Sequence, residues 1–196
     1  MNTGDRIRLF IAVDTPGAVR GALARLKDDI APRLRGFHWE APEKYHCTIQ
    51  FLGPVPRALL SDITARVSAA TAGLSPFPLA YRGLGFFPRG PAPRVFWAGI
   101  DDTAGGLALL REQIGGALSP LGFVPDERPF HPHLTLARAR EGAEARALID
   151  IVQRRTFEHP PVVVPAVEIM QSVPVAGTTA YTVLASLPLR GGTTGS

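Results

Sequence analysis

A single cysteine, Cys47, stands in this chain of 196 residues, so no internal disulfide can form. A reducing compartment is the expected home. Long apolar runs are also missing from the N-terminal segment. Between Arg6 and Val13 only five consecutive apolar residues, Leu9 to Val13, precede Asp14. That is too short for the apolar core of a signal peptide or for a bilayer span, and it reads as a buried strand. No membrane association and a cytoplasmic location are expected. Lysine is nearly absent as well, with nineteen arginines against Lys27 and Lys44.

What remains is an ordinary globular composition, 45% apolar and 19% charged. A chain of this length buries roughly 70% of its unfolded surface, enough for a self-sufficient core. The net charge is +4. Arginine presents a planar fork of donors suited to phosphate, but the same skew follows from GC-rich codon usage. The charge permits an RNA partner without indicating one.

Strand-like and helix-like stretches alternate. Arg8–Val13 reads as a strand, and Pro16 to Leu34 as a helix with Val19, Leu23, Leu26 and Ile30 at helical spacing. Tyr45–Leu52 reads as a strand closed by Gly53-Pro54, Arg57–Ala72 as a second helix, and Phe77–Phe87 as extended chain. A turn-rich joint covers Pro88 to Pro93. Strand Val95–Ile100, helix Ala104–Leu118, strand His133–Ala137 and helix Glu141–Arg155 come next. Strands Val162–Met170 and Tyr181–Leu187 end the pattern, and residues 191–196 read as a disordered tail.

The order repeats itself. A shift of 87 residues carries Phe10 to Trp97, Asp14 to Asp101, His46 to His133 and Thr48 to Thr135. Self-similarity at a fixed period is a fold-level signal. Two halves, about 6–88 and 93–188, form one domain over residues 1–190, with their histidines facing each other across a pseudo-twofold axis.

Those histidines begin two copies of one pattern, His46-Cys47-Thr48-Ile49 and His133-Leu134-Thr135-Leu136. Strand side chains alternate faces. His46, Thr48 and Gln50 are therefore placed on one face, with Cys47, Ile49 and Phe51 on the other. One such motif is weak, because threonine is itself a good strand former. Two copies at matching positions and parity are strong. Paired imidazoles suit cleavage of a cyclic phosphodiester: one, neutral, takes a proton from attacking water, and the other, as imidazolium, protonates the departing ribose oxygen. Threonine hydroxyls and backbone N–H groups can hold the phosphate oxygens.

The stretches Tyr45–Gly53 and Pro129–Arg138 resemble the two signature motifs of the two-histidine (2H) phosphoesterases, and more narrowly the bacterial RNA 2′,3′-cyclic phosphodiesterases, or 2′-5′ RNA ligase-like proteins. Similarity extends through Phe10–Val13, Trp39, Gly85–Pro88, Pro93–Gly99, Ser172, Gly177 and Tyr181. The resemblance implies an α+β, bilobal fold. Two pseudo-symmetric β-α-β-α-β halves, with antiparallel or mixed sheets, would flank a central cleft. It implies His46 as proton donor, His133 as acceptor, Thr48 and Thr135 as phosphate contacts, and a 2′-phosphomonoester product, with weak reverse 2′-5′ ligation. Cys47 stands where the family more often has an aliphatic residue, a packing change. No cofactor or metal is implied, and a monomer is the default.

Arg128 and Arg138 are candidate phosphate contacts, while Arg140 reads as solvated surface. Phe51, Phe87, Phe130 and Tyr181 are candidates to stack a base, although core packing suits each taken singly. His131 reads as rim or support. His38 and His159 have no partner pattern. Three rival readings remain open at this point: a zinc hydrolase using His131, His133 and His46; a phosphodiesterase acting on 2′-5′ oligonucleotides or small cyclic nucleotide phosphates; and a noncatalytic RNA- or nucleotide-binding module.

Overall fold

The computed structural model describes residues 5–89, 92–126, 128–175 and 178–191. Gly90 and Pro91 of the expected joint, Gly177, and residues 192–196 of the expected disordered tail lie outside the described residues. The fold is α+β. Nine strands and four α-helices are described: β1 (Arg6–Asp14), α1 (Gly17–Ile30), β2 (Phe37–Trp39), β3 (His46–Pro56), α2 (Leu60–Thr71), β4 (Phe77–Arg89), β5 (Ala92–Asp101), α3 (Gly106–Leu118), β6 (His133–Ala139), α4 (Ala145–Arg154), β7 (Glu158–Val164), β8 (Ala166–Val175) and β9 (Thr178–Pro188).

The strands form two sheets, ordered β3-β1-β8-β9 and β2-β6-β5-β4-β7. Every recorded pairing is antiparallel. Each sheet takes strands from both halves of the chain. β2 and β4 from the first half join the second sheet, while β8 and β9 from the second half join the first.

Three sequence expectations are corrected. Val162–Met170 is not one strand: β7 ends at Val164 and pairs with β4, whereas β8 starts at Ala166 and pairs with β1 and β9. Pro165 lies at the crossing, and Pro160 and Pro161 are tolerated because β7 is an edge strand. The helix expected over Pro16–Leu34 ends at Ile30 and tightens into a 3₁₀ turn over Ala31–Arg33, since Pro32 has no N–H to extend the ladder. The helix expected from Glu141 begins at Ala145, because Gly142 takes a positive φ of 76° that no helix accommodates.

The core is built by alternation. In β1, Ile7, Leu9, Ile11 and Val13 join the main cluster with Val19 and Leu23 of α1, Ile63 and Val67 of α2, and Leu110 and Ile114 of α3. Phe10 and Ala12 point to the opposite face and pack with Met170 and Tyr181 in a separate small cluster. That second face borders the cleft. Asp102 fastens the start of α3 by accepting from the Leu107 and Ala108 backbone N–H groups, each at 3.0 Å. Among the described residues no helix is long and apolar enough to cross a membrane.

Candidate active site

The two motif strands meet where the sheets face each other. In β3, His46 and Thr48 are half-buried while Cys47 and Ile49 are buried; in β6, His133 and Thr135 are half-buried while Leu134 and Leu136 are buried. Cys47 is buried, and burial pushes its thiol up to about 12, so it is inert packing at the seam.

Both imidazoles are held alike. His46 Nδ1 lies 2.7 Å from the Lys44 carbonyl oxygen, and His133 Nδ1 lies 2.7 Å from that of His131. A carbonyl can only accept, so each Nδ1 carries the proton and donates it. The opposite nitrogen, Nε2, is left to work in either ring. Aromatic walls fix the ring planes. His46 sits 4.9 Å from Phe10 and has Tyr181 edge-on at 5.1 Å. His133 has Phe87 edge-on at 4.8 Å, with Trp97 and His131 each at 6.4 Å.

Burial lowers the pKa of both rings from the ordinary 6.5. For His46 the Lys44 carbonyl and the Glu40 carboxylate oppose that shift, while Arg138 and His133 add to it. For His133 the His131 carbonyl opposes it, and the His131 ring and Arg138 add to it. The charge of one imidazole is thus felt by the other across the cleft.

Simple alternation fails just past each threonine. Across the β1–β3 ladder Thr48 pairs with Ala12 and Gln50 with Ile11, leaving Ile49 as the extra residue of a bulge. Across β5–β6 Thr135 pairs with Trp97 and Ala137 with Phe96, leaving Leu136 extra in the same way. A bulge reverses the parity of the strand beyond it. Gln50, expected beside His46 and Thr48, is therefore buried, its Nε2 donating to Phe123 O at 3.1 Å. Phe51, expected on the core face, is 74% exposed and lies 6.1 Å from Phe10. Arg138 emerges at the matching place in the second sheet. The ladders also reset the internal repeat in β1 and β5. Asp14 pairs with His46 and Gly99 with His133, an offset of 99 − 14 = 85 rather than the 87 expected there.

The other candidates divide. Arg138, Phe87 and Tyr181 stand around the histidines, and Arg138 Nε donates to Glu40 Oε1 at 3.2 Å. Arg128 reaches back to Asp126, with its Nε 3.0 Å from the carboxylate. Phe130 packs on the core beneath Arg111, whose guanidinium carbon lies 4.9 Å from the ring centre. Arg140 bonds His38 Nδ1 at 3.0 Å. His159 sits on β7 beside Pro160 O. Among the described residues no three His, Cys, Asp or Glu side chains converge as a metal-ligand set. Beside His46 opens a cavity of about 380 Å³ whose lining includes Asp14, Lys44, Glu168, Met170 and Tyr181.

Glu40, Phe10 and Trp97 border the site without having been read from sequence as site residues. Alternation in β1 puts Phe10 opposite Leu9 and Ile11, a signal that was available. Glu40 had none, because it becomes a neighbour of Arg138 only once β2 pairs with β6.

The model of the LigT-like phosphoesterase family matches this chain twice in tandem, over residues 13–97 and 99–181. The chain belongs to that family. Among relatives of this LigT-like phosphoesterase, an RNA 2′,3′-cyclic phosphodiesterase of Geobacillus stearothermophilus is 39% identical over 137 residues. That match takes in 70% of this chain and 43% of the relative, so it spans less than half of the relative's length. An Aeropyrum pernix protein of the same name is 36% identical over 133 residues, 68% of this chain and 74% of its own. Among solved structures, TT0787 of Thermus thermophilus superposes with a TM-score of 0.82 at 30% identity, covering 94% of this chain and 99% of that one. Escherichia coli LigT complexed with 3′-AMP gives a TM-score of 0.74 at 25% identity, covering 94% and 99%.

Proposed function

We propose that this LigT-like phosphoesterase hydrolyses RNA 2′,3′-cyclic phosphodiester ends to 2′-phosphomonoesters without a metal, with His46 as proton donor and His133 as proton acceptor. The observation that carries the reading is the matched pair of Nδ1–carbonyl hydrogen bonds. They leave two Nε2 atoms, one from each sheet, for a single cleft. The names of the bacterial and archaeal relatives point to the same substrate class.

Water attacks phosphorus as His133 Nε2 takes its proton. The bond from phosphorus to O3′ breaks, and His46 Nε2–H gives its proton to that oxygen, leaving a 3′-hydroxyl and a 2′-phosphate. The five-membered cyclic phosphate is strained, so two proton transfers and charge stabilisation suffice. Thr48 and Thr135 hold the non-bridging oxygens, and Arg138 supplies a nearby cation. Phe51, Tyr181 and Phe87 offer ring faces and edges to the nucleoside. Arg128 and Phe130 have partners of their own and are not needed. Weak 2′-5′ ligation is the same step with the 5′-hydroxyl of a second RNA in place of water: His133 takes its proton, the bond from phosphorus to O3′ breaks, and His46 protonates O3′.

The deciding assay incubates the protein with RNA ending in a 2′,3′-cyclic phosphate under EDTA and identifies the product isomer. The expected product is the 2′-phosphate. A 3′-phosphate product, or activity that chelation abolishes and zinc restores, overturns the reading. His46→Ala and His133→Ala should each lower kcat by about 10²-fold or more with the circular dichroism spectrum unchanged. A near-normal rate in either variant removes that residue from the chemistry.

A further inference from the structure

The two imidazoles are bonded alike through Nδ1, so nothing in those bonds distinguishes donor from acceptor. Their charged neighbours are not alike. His46 faces Glu40 just beyond β2, Arg138 and His133 on β6, and Tyr181 on β9; across the ladder is Asp14 of β1, itself paired with Arg20. His133 faces Arg138 and His131, and among the described residues no carboxylate acts on it.

Glu40 is the odd member of this set, because a carboxylate in an anion-binding cleft repels the substrate phosphate. It is nonetheless firmly placed. Its backbone N–H donates to Leu136 O at 2.9 Å, beside the second motif. Its side chain is 12% exposed, against 51% for Arg138, to which it is bonded at 3.2 Å. We propose that Glu40 is a positioning residue that anchors Arg138 in the cleft and gives the proton-donor role to His46 rather than to His133. This rests on the two-histidine reading above. The Glu40–Arg138 pair is a dipole beside the two histidines. Its negative end favours imidazolium at His46 and outweighs Arg138 there, while Arg138 and His131 disfavour imidazolium at His133.

The test is the pH profile of kcat/KM on a 2′,3′-cyclic nucleotide for wild type, Glu40→Gln and Glu40→Asp. In Glu40→Gln the alkaline limb should move to lower pH by about half a unit to one unit. Relative to wild type, the rate should fall roughly 3- to 10-fold at pH 8, and the difference should shrink steadily as the pH drops below the limb. Glu40→Asp should restore the limb. Unmoved limbs, or movement of the acidic limb instead, overturn the proposal. A second measurement reads the rings directly: in NMR titrations, Glu40→Gln should lower the pH at which the His46 ring protonates by more than it lowers that of His133, and an unmoved His46 ring overturns it. An inactive wild type would instead sink the two-histidine reading itself.

Discussion

Phe51→Ala separates a ring that packs from a ring that binds. Phe51 is 74% exposed, so only about a quarter of a side chain worth roughly 200 Å² is out of water. At about 25 cal/mol per Å², the stability lost on truncation is about 1 kcal/mol. A buried ring behaves differently: Phe96 is 0% exposed, and its truncation should cost about 3–5 kcal/mol. Stacking of one base on an exposed aromatic contributes about 1–3 kcal/mol, which converts to roughly 5- to 150-fold in substrate affinity. Urea unfolding of the two alanine variants, with kcat/KM on a cyclic-phosphate RNA, tests both halves together. Phe51→Ala should unfold close to wild type and lose activity through KM, while Phe96→Ala should lose stability. If Phe51→Ala loses 3 kcal/mol or more, the ring is buried and the bulge at Ile49 is wrong. If its kcat/KM on RNA is unchanged, the ring takes no part in binding.

Gly85 pairs across from Trp97, and a Cβ there would lie 2.2 Å from the indole ring; Gly85→Ala should cost about 1–3 kcal/mol and displace Trp97 from its place beside His131 and Phe87, so unchanged melting and activity would contradict the close approach. Thr48→Val and Thr135→Val keep strand shape and should each reduce kcat/KM by about 10-fold or more through one lost hydrogen bond to phosphate; a wild-type rate in either removes that hydroxyl from the site. Burial disfavours imidazolium at both histidines, so the donor loses its proton at lower pH than a solvated histidine does. The alkaline limb of kcat/KM should therefore reach half-height below pH 6.5, and the limb of kcat should lie higher because the bound phosphate anion favours imidazolium; a kcat/KM limb above pH 7.5 refutes the sign.

The His-x-Thr pattern was legible because period-two alternation depends only on the chain's own geometry. His46, Thr48, His133 and Thr135 share half-buried faces just as their spacing requires. Alternation says nothing about where the ladder slips. Neither bulge carries a glycine or proline to mark it: the extra residues are Ile49 and Leu136. Gln50 and Phe51 were therefore placed on each other's faces. The exchange of strands between halves was equally hidden. Val162–Val164 and Ala166–Val167 read as one apolar run, and only the partners of β7 and β8 show that it belongs to two sheets. Glu40 and Arg138 lie 98 residues apart in sequence, beyond the reach of any local pattern.

On the two-histidine reading a symmetric frame alone cannot run the reaction, because one histidine must begin protonated and the other neutral. The fold supplies likeness through shared devices: a His-x-Thr strand in each sheet, a carbonyl two residues back that holds Nδ1, and one extra residue after the threonine. Difference has to come from what the frame carries at matching places. The bulges at Ile49 and Leu136 turn the second residue beyond each toward the cleft, and those residues are Phe51 in one sheet and Arg138 in the other. One presents an apolar face suited to a base, the other a cation suited to phosphate. On the function proposed above, a nucleotide that satisfies both lies across the cleft in one direction. It then has O3′ beside His46 and the attacking water beside His133, so the unlike pair sets the substrate's direction to match the acid and base that the charges beside each ring set.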